Sequence, residues 1–262
     1  LQVADACRAS LGLSIGPVVT TAAPLGVSLR LGPSGSSWGS VERPEVLLQA
    51  GERLVAAGAT AIAVVARFPD DPGSEALAAY RHGKGVDALA GAEAVISHLL
   101  SRHLGLPCAH APALAPLPID PNLDPRAAAE ELGHTFLPSV LVGLSRAPDL
   151  VPLAAIATAG GSTAHQLDPR LLQSDLIHPR RLGAVVAPDG ALGGEAVLAC
   201  AERGVPVIAV RRNTCLLEVD GDALGIPVLM AESYAEAAGV VLALREGIDP
   251  VALRRPIPSL PL

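Results

Sequence analysis

The sequence predicts an α/β protein: mostly parallel sheets with flanking helices, in two Rossmann-like lobes with a cleft between them. Three observations carry this. Short Val/Ile/Ala runs alternate with helical periodicity, the pattern of strand–crossover–strand units. Half of the residues are hydrophobic (50%) and only 2% are aromatic. Such a core is built from Ala, Val, Leu and Ile, which suits buried parallel strands under Ala-rich helices. The stretch 182–219 reads, in one unbroken order, as strand, glycine-rich turn, helix, strand and polar loop.

Residues 1–11 predict a helix end and 15–21 a strand. The Gly-, Ser- and Pro-rich loop 22–44 follows, long enough to be functional or mobile. Residues 44–57 predict a helix with Pro44 in its first turn and Gly58 behind it. A buried strand at 60–66, a polar turn at 67–72 and a short helix at 74–80 come next. The polar loop YRHGKGVD (80–87) places Asp87 to cap an amphipathic helix at 88–104, closed by Gly105. A short strand is expected at 107–111, and prolines force 111–125 to run extended over the surface. Residues 126–133 are helical and 140–144 predict a strand.

The stretch 147–181 has turn chemistry and little periodicity. Strands at 183–187, 205–210 and 227–229 then alternate with helices at 194–203 and 233–246. The expected division is a first lobe at 1–150, an irregular connection at 151–181, and a second lobe at 182–262 with a proline-rich tail. The chain opens on LQVADACRA, without an initiator Met or a signal-peptide pattern. The first lobe is therefore expected to lack an upstream segment.

Composition excludes several classes of function. The formal charge is −7, and no Lys/Arg cluster is interleaved with aromatics, which argues against nucleic acid. Every apolar run is broken before it reaches membrane-spanning length. Cys7, Cys108, Cys200 and Cys215 form no CxxC, and the histidines have no zinc spacing, so neither a disulfide framework nor a metal site is expected. The expected compartment is the cytoplasm, or the plastid stroma in a plant. No cofactor is assigned.

Four polar constellations sit at predicted strand ends. PDGALGGE places Asp189, Gly193 and Gly194 where a strand turns into a helix, and free N–H groups there favour an anion. The spacing is neither GxGxxG nor a P-loop, and the same residues also make an ordinary tight turn. RRNTC follows the next strand: Arg211 would clamp a carboxylate or phosphate, Asn213 and Thr214 would orient it, and Cys215 reads more readily as a structural thiol than as a nucleophile. ARFPDD with YRHGKGVD brings Arg67, Asp70, Asp71, Arg81, His82 and Lys84 into one polar set, with His82 suited to acid–base work near neutral pH. TTAAPLG places Thr20 and Thr21 at a strand end. The lone Trp38 in SSWGS is expected to pack against the body rather than cover a ligand.

The segments VVTTAAPLG, SSWGSVERPEVLLQAGERLVAAGATAIAVVARFPDD, AYRHGKGVD, PDGALGGEAVLACAERGVPVIAV and NTC resemble an uncharacterised family of cyanobacteria and plant plastids, a domain of unknown function. The resemblance implies location and α/β character, and brings no catalytic residues to carry over. LVAAGATAIAVVARF is also similar to the helix–strand unit of aspartate/glutamate racemases. Those enzymes place a catalytic Cys directly after the strand, where this chain has Arg67 and Phe68, so that likeness speaks to fold alone.

Together these readings predict a protein that binds a small anionic metabolite in an interlobe cleft. If it is an enzyme, His82 or Asp189 would be the acid–base group. The alternative is a non-catalytic regulatory or assembly protein whose long loops and tail serve a homo-oligomer interface.

Overall fold

The computed structural model describes residues 1–33, 36–68, 74–113, 117–131, 136–150, 177–257 and 259. The chain divides into two compact units, Leu1–Thr163 and Ala164–Leu262. The predicted connection at 151–181 lies mostly outside the described residues, as do Asp70 and Asp71.

The first unit runs α1 (Gln2–Leu11), β1 (Val27–Leu31), β2 (Ser37–Val41), α2 (Pro44–Ala56), β3 (Ile62–Ala66), α3 (Glu75–Arg81), α4 (Ala90–Leu104), β4 (Cys108–Pro112), α5 (Pro125–Glu131) and α6 (Phe136–Leu144). β3 and β4 pair in parallel, with Ile62 opposite Cys108 and Ala66 opposite Pro112. α4 packs on β4 and on the β1–β2 hairpin, α2 packs on α4, and α6 packs on β3 and β4. The core gathers Leu47, Ile62, Phe68, Leu89, Ala92, Ile96 and Leu100. Local sequence chemistry sets the helix ends. Pro44 stands at the first turn of α2, where its missing N–H is no loss. Ser74 Oγ accepts the Leu77 N–H at the start of α3. The Asp87 carboxylate accepts the Leu89 N–H at 2.9 Å, just ahead of α4, and α4 stops at Gly105 in the left-handed region.

Four sequence expectations differ from this unit. The loop predicted at 22–44 contains the antiparallel hairpin β1–β2, with Val27 opposite Val41 and Leu29 opposite Gly39. Its period-2 alternation is hidden by Ser and Gly, which carry little β-propensity. Gly39 faces α4 so closely that a Cβ there would lie 2.2 Å from Ala92 Cα. Trp38, one residue before it, therefore points the other way and is 64% exposed, so it does not pack against the body. Residues 140–144 are the last part of helix α6, not a strand. A short apolar run reads equally as either, and Pro138 near the helix start resolves it toward helix. Residues 15–21 form no β-pairing.

The second unit runs β5 (Val185–Pro188), α7 (Glu195–Glu202), β6 (Val207–Val210), α8 (Gly221–Leu224), β7 (Leu229–Ala231) and α9 (Tyr234–Arg245). Its sheet has the order β5–β6–β7, parallel throughout. All four residues of β6 are buried. Alternation divides them between two faces: Val207 and Ala209 pack with Val197 of α7, and Ile208 and Val210 with Ala237 and Val240 of α9. This is a strand covered on both sides, which is why VPVIAV is continuously apolar. Among the described residues, the sheets are small and mostly parallel, and neither unit forms a long doubly wound sheet. No helix among them is long and apolar enough to cross a membrane.

Candidate functional site

In the first unit the chain leaves β3 at Arg67, and Phe68 turns back into the core at 5% exposure. Arg67 lines a groove of about 1910 Å³ together with Thr20, Thr21, Arg81 and Asp120. Its walls are apolar, from Leu47, Leu54, Val64, Leu137 and Leu141. Arg67 is exposed, and among the described residues its side chain makes no hydrogen bond or ion pair.

At the polar part of this lining, the loop after α3 is fastened to the segment before α5. Asp124 N–H donates to Arg81 O at 2.8 Å, Arg81 donates to Pro118 O at 3.1 Å, and Arg126 donates to Gly83 O at 3.3 Å. Gly83 has φ 76, and a Cβ there would lie 2.4 Å from the Asp124 carboxylate, so only glycine fits the junction. His82 places Nδ1 2.8 Å from Ala78 O and Nε2 2.9 Å from Asp120 Oδ2. Both ring nitrogens face acceptors. A ring protonated on both donates twice, whereas a neutral ring donates only once. His82 does not itself line the groove; it reaches it through Asp120.

The Asp120 carboxyl is held below its ordinary range, first by the Asn122 N–H, against a desolvation effect, and then by His82 and Arg81. Asp124 is lowered in the same way, first by the Arg126 N–H. Both aspartates form Asx-type turns with the residue two positions on, at 2.9 Å in each case. Lys84 is exposed, and among the described residues its side chain makes no hydrogen bond or ion pair.

Sequence reasoning missed Asp120 and Asp124, because 111–125 was read only as an extended surface segment, and Arg126, because it was read only as the start of a helix. The doubled Asp–Pro of DPNLDPR was the available signal, since Asp two residues before a free N–H favours such turns. A second missed set lies between α4 and β4. Ser97 Oγ hydrogen-bonds His110 Nδ1, and His110 Nε2 lies 3.5 Å from Glu93 Oε2. Glu93 and Ser97 are each only 7% exposed. Burial, then the charge of His98, holds His110 below the ordinary histidine value, and burial pushes the Cys108 thiol up. This set ties helix to strand, with Glu93 and Ser97 buried and His110 partly exposed.

In the second unit the predicted residues gather at the carboxyl ends of β5 and β6. The turn after β5 is zipped to a later segment: Val219 N–H donates to Gly190 O at 2.7 Å, and Leu192 N–H to Val219 O at 2.9 Å. The Asn213 amide donates to Val210 O at 2.7 Å and to Asp189 O at 3.3 Å, and its oxygen accepts the Cys215 N–H at 2.7 Å. Asn213 thus joins the two strand ends. Arg211 is ion-paired with Glu232, and Arg212 donates to Glu232 O. Cys215 Sγ accepts the Leu217 N–H at 3.4 Å. Gly193 lies against Val219, Gly194 precedes α7 with open space around it, and Thr214 is exposed. Among the described residues no cluster of three or more His, Cys, Asp or Glu could hold a metal.

No solved structure matches the chain. It is 51% identical over 252 residues to an uncharacterized lipoprotein of Synechococcus sp., a match covering 96% of this chain and 66% of the relative. The match thus spans about two thirds of the length of that curated relative. The cyanobacterial relationship expected from the sequence is borne out. The model of one family, described as a protein of unknown function (DUF3326), matches residues 1–254, and the chain belongs to that family.

Proposed function

We propose that this protein binds a small anionic metabolite, a carboxylate or phosphate, in the groove of the first unit, with Arg67 as the principal clamp. The observation that carries the reading is Arg67 itself: an exposed cation at the end of a parallel strand, with no partner for its side chain among the described residues, lining a groove it shares with Arg81, Thr20 and Thr21. Ligands of parallel α/β sheets favour the carboxyl ends of strands. Arginine offers a planar fork that matches carboxylate and phosphate oxygens. Lys84 is a second cation on the adjoining loop. If the protein is an enzyme, the His82–Asp120 pair is the acid–base group best positioned beside this groove. Asp189, Gly193, Gly194, Arg211, Asn213 and Thr214 are a second proposed set, though Arg211 and Asn213 already have partners there.

The test is calorimetric titration and thermal shift of the protein with inorganic phosphate, succinate and a mononucleotide. Arg67→Gln is expected to weaken the best hit about tenfold or more, the worth of a charge-assisted hydrogen bond of roughly 1.5–3 kcal/mol. Arg245→Gln, which loses only an exposed ion pair with Glu246, is expected to leave that hit unchanged. Unaltered binding in Arg67→Gln rejects the site. No shift with any probe, from a protein that is a stable oligomer, favours the assembly reading instead. The relative's designation as a lipoprotein also supports a proposal of membrane attachment, in competition with the cytoplasmic expectation. Fractionation of cells producing the native protein separates the two.

A further inference from the structure

We infer that residues 15–21 are a strap that docks on the open edge of β3 as a third parallel strand and thereby completes the anion site at Arg67; this rests on the reading of that groove as a binding site. The edge is defined by β3 itself. Ile62 N–H donates to Pro107 O, and Ala113 N–H donates to Ala66 O, so the even-numbered residues of β3 bond to β4. By the alternation of a parallel ladder, the N–H and C=O groups of Ala63, Val65 and Arg67 point to the opposite edge. β4 is the only strand paired with β3 among the described residues. A row of open backbone groups is a template for another strand.

The strap is in place to use it. Residues 13–21 and 61–67 line the same groove. Among the described residues, 13–24 make no backbone-to-backbone hydrogen bond, so its backbone groups are available for pairing apart from Thr20 O, which a side chain holds. Gly12 and Gly26, both at positive φ (65° and 68°), bound the segment and supply pivots. The groove, at about 1910 Å³, exceeds the roughly 300–1,000 Å³ of ordinary ligand pockets, and the excess is room for a strand. The run IGPVV has adjacent apolar residues at Val18 and Val19, as a strand covered on both faces requires.

Pro17 fixes the parity of the pairing. It has no N–H, so it must occupy a position whose backbone turns away from β3. Gly16, Val18 and Thr20 then face β3, and Val19 and Thr21 face away. In the register that aligns the two carboxyl ends, Thr21 stands beside Arg67 at the strand spacing of about 4.8 Å. A hydroxyl and a guanidinium on neighbouring strand ends can hold one anion between them. Arg53 Nη2 now donates to Thr20 O at 2.8 Å, a carbonyl that docking would turn toward β3. Arg53 is therefore the latch of the open position.

The test is residue-resolved hydrogen exchange on the full chain, with and without inorganic phosphate, with Ile96 and Leu100, buried in the core of the same unit, as internal markers of folding. Slowed exchange at Val18, Thr20, Ala63 and Val65, increased by phosphate or by Arg53→Ala, is the expected result. Val18→Pro, which removes a donor aimed at β3, should return Ala63 and Val65 to open-chain exchange, whereas Val19→Pro should not. Fast exchange at Ala63 and Val65 under every condition, or equal effects of the two proline variants, overturns the strap. Slowed exchange that ignores phosphate, in a protein no anion stabilises, rejects the binding reading and leaves the strap standing. Anion binding that depends on Arg67 without any slowing at Val18 or Thr20 rejects the strap alone.

Discussion

His110 shows how much one side chain can carry in a core of small aliphatics. It is held between Ser97 and Glu93 of the helix that covers its strand. Burial keeps its folded pKa below the ordinary 6.5, with the charge of His98 adding to the effect. Between that lowered value and 6.5 the unfolded chain binds a proton that the folded chain resists. Stability is therefore complete above pH 6.5, is lost as pH falls through that window, and stops falling once the folded ring is also protonated. Urea unfolding of the wild type is expected to show a lower midpoint at pH 5.5 than at pH 7.5, and His110→Gln a smaller difference. An equal pH effect in the variant would place its origin elsewhere. None of this was legible in the sequence, where His110 is one of seven scattered histidines. Glu93 and Ser97 look like ordinary helix residues until α4 lies on β4.

At the scale of elements, the sequence reads best where periodicity and punctuation agree. α2, α4, α9, β3 and β6 follow from apolar spacing with Pro44, Asp87, Gly105 and Ser233 at the boundaries. The β1–β2 hairpin was not legible, because what holds it is a contact 53 residues away: Gly39 on Ala92. Gly39→Ala is expected to cost about 1–3 kcal/mol by overpacking that crossing, as read by chemical denaturation. Gly143→Ala, with open space around it, is the control and should be nearly neutral. The 15–21 strand was legible as a pattern, but a strand needs a partner edge, and in this structure its hydrogen bonds are not made to β3.

For the whole molecule, the net charge of −7 opposes binding of an anion, so any such binding must rest on local cations. Arg67 and Lys84 are both exposed, where salt screens effectively. Affinity for phosphate is expected to fall steadily as potassium chloride is raised from low to about 0.5 M, where the Debye length drops to a few ångströms. Salt-independent affinity would mean a buried, desolvated site other than the groove.

Composition and periodicity by themselves determined the α/β class, the parallel pairing and the placing of polar residues at strand ends, because these depend on local backbone preference and on which faces must leave water. Only the tertiary structure decided which polar residues meet. Asp120 reaches His82 across 38 positions and Glu232 reaches Arg211 across 21, whereas Arg67 keeps its exposed charge without a partner among the described residues. Such pairings are set by how elements stack, and spacing along the chain does not encode them.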